Sequence, residues 1–105
     1  MFSEPDAGPP GIDRDLGMIS AALEELRQLA SDREKAQDSA KVYDFSIRWG
    51  VLLSGRLLRL EHYHRAEELS RDQKRRYREL EGELGEAAPL AERLGIAQPN
   101  VGPRD

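Results

Sequence analysis

Residues 42–60, Val42-Tyr43-Asp44-Phe45-Ser46-Ile47-Arg48-Trp49-Gly50-Val51-Leu52-Leu53-Ser54-Gly55-Arg56-Leu57-Leu58-Arg59-Leu60, decide the fold. At about 100° per residue, Val42, Ser46, Trp49, Leu53, Leu57 and Leu60 fall on one stripe at coiled-coil spacing, and His64 continues it. Tyr43, Ile47, Val51, Ser54 and Leu58 form a second stripe on another face. The small residues Ser46, Gly50 and Ser54 lie between the stripes, and Lys41, Asp44, Arg48, Arg59 and His62 take the polar face. The pattern predicts a long helix over about 39–69, roughly 45 Å at 1.5 Å per residue. A helix with two apolar faces needs two packing partners.

Working outward, Ile12, Leu16, Ile19, Leu23, Leu26 and Ala30 alternate spacings of four and three, with Glu24, Glu25 and Gln28 opposite. They predict a first helix over about 12–30, and Asp13 and Asp15 suit the positive end of its dipole. Ser31-Asp32-Arg33-Glu34 reads as a capping box. A break is expected within 31–38, because only Ala36 and Ala40 are apolar between Ala30 and Val42. On the other side, Ser70 and Gln73 repeat the capping signature and start a third helix over about 71–84. Its inward stripe, Leu69, Gln73, Tyr77, Leu80 and Leu84, brings Tyr77 and Leu80 back onto Leu57, Leu60 and His64. Gly85 reads as its stop. Pro89 opens a short fourth helix, 88–94, closed by Gly95 in the left-handed conformation with Ile96 packing back.

The expected fold class is all-α: a small bundle of three helices plus a short C-terminal fourth, with a long central second helix, completed by dimerisation. Residues 1–11 read as a disordered lead-in, 12–96 as a single helical domain and 97–105 as a frayed tail.

Composition narrows the function. The 105 residues contain no Cys, which excludes disulfides, thiolate chemistry and Cys-based zinc sites. No apolar run is long enough for a membrane span, and the first residues lack a secretory signal, so a cytoplasmic location and no membrane partner are expected. The net charge of −4 hides an uneven distribution: residues 41–80 carry ten bases against six acids, and both flanking segments are acidic. An acidic chain is a poor non-specific nucleic-acid binder, but a basic middle can meet an acidic partner.

No catalytic constellation is visible. Both His lie in one helix, and Gly50 and Gly55 lack the arrangement of a phosphate loop, so a non-enzymatic reading without cofactor follows. Glu61 and His64 form one Glu-x-x-His pair with Glu68 a turn later. Carboxylate-bridged metal bundles need two such pairs, so only a symmetric dimer, with Glu24 or Glu25, would complete a site here, and none is favoured. Arg71, Lys74, Arg75 and Arg78 share a face suited to an acidic protein or nucleic acid, while Asp72 and Arg76 are spaced for an i, i+4 pair. Residues 90–101, Leu90-Ala91-Glu92-Arg93-Leu94-Gly95-Ile96-Ala97-Gln98-Pro99-Asn100-Val101, resemble the middle of a helix-turn-helix DNA-binding motif, with Ala91, Gly95 and Val101 at its small, turn-glycine and buried positions. The resemblance implies a recognition helix continuing past Val101, where Gly102-Pro103 breaks it.

The unspent apolar surface points to self-association through Tyr43, Ser46, Trp49, Gly50, Leu53 and Ser54, because the first helix offers one narrow stripe and the third is short. The resulting expectation is a non-enzymatic protein–protein interaction module, an adaptor, regulator or scaffold subunit acting as a homodimer with a further protein partner. A nucleic-acid-binding regulator using the basic third helix is the alternative. A metal-binding bundle completed across the dimer is the second.

Overall fold

The computed structural model describes residues 9–98. Within them run α1 (Ile12–Ser31), α2 (Arg33–Gln37), α3 (Ser39–Val51), a π-helical turn (Leu52–Arg56), α4 (Leu57–Arg65) and α5 (Arg71–Leu94), with no strand among the described residues. The segments from α3 to α4 form one unbroken rod about 40 Å long. Cross-links between helices fix their directions. Asp15 meets Arg59 and Glu25 meets Arg48, so the rod runs antiparallel to α1. His64 meets Tyr77 and Trp49 meets Ala97, so α5 runs antiparallel to the rod and parallel to α1. The result is an up-down-up bundle, 53 × 32 × 19 Å.

The expected all-helical fold is present; the stripes of the first and third helices explain the core there, while on the rod Phe45, which lies on neither expected stripe, is buried and Val42, Ser46, Leu53 and His64 are only half-buried. Ile12, Leu16, Ile19, Leu23 and Leu26 are buried as the spacing requires, and a second ladder of Asp15, Ala22 and Leu29 beside them makes the inward face of α1 broader than one narrow stripe. Across from it, Gln73, Tyr77, Leu80, Leu84, Ala87 and Ala91 are buried at alternating spacings of four and three. The inner side of the rod supplies Phe45, Trp49, Leu57 and Leu60.

The cap beyond α1 and the end of the rod differ from the sequence reading, each for a local reason. Ser31 ends α1, its hydroxyl donating to the Gln28 carbonyl, and Asp32 caps α2 by accepting from the Lys35 N–H. The expected break thus becomes two extended residues, Asp32 and Asp38, each capping the helix that follows. The rod stops at Arg65 rather than 69. Glu67 takes a left-handed φ of 58°, the Glu68 N–H donates to the Tyr63 carbonyl and the Glu67 N–H to that of His64. That pair of bonds is the Schellman stop, here without glycine.

The third and fourth helices are one, since α5 passes through Gly85 and Pro89 without a break. Pro89 withdraws the N–H that would meet the Gly85 carbonyl, yet both residues face water, which satisfies that carbonyl. Leu84, Ala87 and Ala91 meanwhile hold the helix to the core on either side. The Ser70–Gln73 capping box is present with both reciprocal bonds, and Gly95, at φ 73°, closes α5 while the Ile96 N–H donates to the Ala91 carbonyl. Most of the expected lead-in and tail, 1–8 and 99–105, lies outside the described residues.

Candidate functional site

The rod is where buried and exposed apolar surface lie back to back. Phe45, Trp49, Leu53 and Leu57 follow one another at spacings of four, and each such step drifts about 40° around an α-helix. The π turn absorbs the drift: the Leu57 N–H reaches back five residues to the Leu52 carbonyl, and Leu57 and Leu60 return to the core side. With the inner stripe held inward, the second stripe is left in water. Tyr43 is 65% exposed, Ile47 52%, Val51 65% and Leu58 55%, with Ser54 exposed between them.

The six residues expected at a self-association surface divide. Trp49 is fully buried within one chain: its ring stacks on Phe45 and its Nε1 donates to the Ala97 carbonyl at 2.7 Å. Its place is the core, beside Phe45, and not a surface between two copies. Leu53 is half-buried against the core, Ser46 and Gly50 are half-buried at the border, and Tyr43 and Ser54 are exposed. A Cβ added to Gly50 would meet nothing within 4 Å, so the surface beside it is open.

The largest feature absent from the sequence reading is Asp15. Its carboxylate is 1% exposed and is held by Arg56 at 2.5 Å and Arg59 at 2.9 Å, whose own side chains are about two-fifths exposed. Arg59 also donates to the Pro10 carbonyl and lies over the Tyr63 ring, 5.3 Å from its centroid. One buried acid therefore ties α1 to both sides of the joint between the π turn and α4. The signal in the sequence is an acid at a core register position, three after Ile12 and four before Ile19, facing two arginines three apart. On the same seam Arg48 forks onto Glu25 at 2.9 and 2.8 Å, and these hydrogen bonds hold the Glu25 carboxyl below its usual pKa.

On the basic face of α5, Arg75 is tied to Asp72 and to Glu79. Asp72 thus pairs with Arg75 rather than Arg76, which reaches Asp13 of α1 at 3.3 Å. Arg71, Lys74 and Arg78 have no ion pair among the described residues. The metal candidates do not converge. Glu68 lies beyond the end of the rod, and the His64 ring sits 4.6 Å from that of Tyr77. No group of three or more His, Asp or Glu is gathered among the described residues. Tyr77 is itself buried, and burial, ahead of the nearby Glu81 and Glu61, raises its hydroxyl pKa well above the usual range. Beyond Gly95, residues 96–98 are not helical, and Val101 of the helix-turn-helix resemblance lies outside the described residues.

No helix is long and apolar enough to cross a membrane among the described residues. Comparison with protein-family models, with curated proteins and with solved structures gives no match to this chain.

Proposed function

We propose that this chain is a non-enzymatic helical interaction module that acts as a homodimer, docking a second copy on the outer face of the rod. The observation that carries the reading is the line of four large apolar side chains, Tyr43, Ile47, Val51 and Leu58, each more than half exposed on a helix whose other face is filled. A single exposed apolar residue needs no explanation, but four on the outer side of one rod do. Its rim favours a copy over a partner of opposite charge. Lys41 and Asp44 flank one end, and His62 and Arg65 flank the other, so no single-sign field selects a foreign surface. The line is about 23 Å long, a helix-on-helix seam smaller than the roughly 800 Å² per partner of a standard interface. Dissociation in the micromolar range is expected.

Absolute mass by light scattering over a concentration series, at two salt concentrations, tests the reading. The expected result is a concentration-dependent dimer that salt does not dissolve. The double substitution Ile47→Glu, Val51→Glu should return a monomer of unchanged helicity that melts where the wild type melts at concentrations too low for it to dimerise. A wild-type chain that stays monomeric up to about 1 mM overturns the proposal.

A dimer built on the rod leaves α5 outside its seam, where Arg71, Lys74 and Arg78, with no ion pair among the described residues, offer cations to an acidic protein. The same three cations support a second reading, nucleic-acid binding. It requires affinity that falls steeply with salt and disappears when Lys74 and Arg78 are neutralised.

A further inference from the structure

We infer that the cleft between the start of α1 and the joint of the rod binds a phosphate group. Every residue involved lies in one chain, so the site is independent of dimerisation. The cleft is open, about 660 Å³, and Pro10, Gly11, Arg14, Arg56 and Arg59 border it. That volume falls in the range of small-ligand sites. Its chemistry is set by Asp15, a carboxylate 1% exposed, with one oxygen on Arg56 at 2.5 Å and the other on Arg59 at 2.9 Å. One buried charge thus holds two guanidiniums in place, while each keeps about two-fifths of its side chain in water. A guanidinium carries several N–H donors in a rigid fork. Asp15 takes one from each, and the Pro10 carbonyl takes another from Arg59, which leaves the remaining donors to a ligand. Gly11 makes room for this arrangement: a Cβ there would lie 2.9 Å from a terminal nitrogen of Arg59, and its φ of 85° suits glycine.

The charges around the cleft do not cancel. Arg14 has no ion pair among the described residues. Asp13, the other acid bordering the cleft, is engaged by α5, its Oδ1 accepting from Gln73 and from Arg76, each at 3.3 Å. Three arginines against Asp15 therefore leave an excess of two positive charges. A phosphate monoester carries about −1.5 to −2 at neutral pH and answers that excess, where a carboxylate answers half of it. Its oxygens also suit guanidinium forks converging from separate directions.

The arginine Nε–Hε signals in NMR spectra of the full chain test the site, titrated at constant ionic strength with inorganic phosphate, with phenyl phosphate and with acetate. Saturable shifts at Arg14, Arg56 and Arg59 are expected with both phosphates, and weaker ones with acetate. Tighter binding of phenyl phosphate assigns the site to a small phosphorylated molecule, and equal binding assigns it to free phosphate; either upholds the proposal. Arg14→Gln, at an exposed side chain, should weaken binding about tenfold and leave the melting temperature unchanged. Arg56→Lys keeps a positive charge beside Asp15 but loses the fork, and should weaken binding by about the same factor. No saturable shift up to about 10 mM phosphate overturns the site. So does binding that survives both variants, or that is lost instead when Lys74 and Arg78 of α5 are changed to Gln. Acetate binding as tightly as phosphate overturns the choice of ligand.

Discussion

The two faces of the rod carry the same kinds of side chain and meet opposite fates. Trp49 is fully buried and Tyr43, six residues earlier, is 65% exposed; Leu57 is 3% exposed and its neighbour Leu58 55%. Hydrophobicity does not separate them. The inner face is the one for which the chain supplies partners, the matching ladders of α1 and α5. The outer face has none among the described residues. The π turn keeps the separation clean, because an unbroken α-helix would carry the inner stripe out of register before Leu57.

That contrast is broken most directly by truncating one residue on each face. Trp49→Ala should cost about 3–5 kcal/mol of unfolding free energy in urea, from lost burial and the cavity left. Val51→Ala should change monomer stability by less than about 0.5 kcal/mol. Equal losses at both positions would mean that the outer face is packed within one chain. Asp15→Ala is expected to follow Trp49→Ala, at about 3 kcal/mol, since breaking a buried ion pair leaves its partners uncompensated. The value lies at the lower end for such a site because both guanidiniums already reach water.

The inner half of this comparison is largely legible in the sequence. The stripe of α1, the capping box at Ser70 and the left-handed Gly95 all follow from spacing and local hydrogen-bonding preference. The merged α5 is not legible that way: Gly85 and Pro89 read as punctuation, and only the continuity of Leu84, Ala87 and Ala91 against a distant helix overrules them. Trp49 belongs to the core because Ala97, forty-eight residues away, receives its N–H. The π turn is written as three consecutive spacings of four, a pattern an ideal helix cannot use. Asp15 is hidden by a plausible local reading, the helix dipole, which its burial supersedes. The outer stripe is plain in the sequence, and what covers it is not.

The length of the rod, and so of the outer face, can be sharpened at its end. Glu67 holds a left-handed conformation that costs an L residue about 1 kcal/mol and glycine almost nothing. Glu67→Gly is expected to raise stability by up to about 1 kcal/mol, with the stop at Arg65 unchanged. A loss of stability would show that the Glu67 side chain contributes more than its backbone strain removes.

The smallest expected effect lies on the seam between the rod and α1. Arg48 and Glu25 are 57% and 42% exposed, so their pair contributes well under 1 kcal/mol, and added salt reduces it. Its sign with pH is nonetheless fixed. Arg48 lowers the folded pKa of Glu25, so the folded state binds that proton less readily than the unfolded chain. The contribution is fully present above the unfolded pKa and is lost as pH falls through the lowered folded one, on the acid side of the ordinary glutamate range. Wild type and Glu25→Gln should therefore differ most near neutral pH and converge in acid, as read from urea unfolding at each pH. A difference that persists at pH 2 would be one of packing, and would make Arg48 a spacer resting on the Phe45 ring, 5.5 Å beneath it, more than an ionic tie.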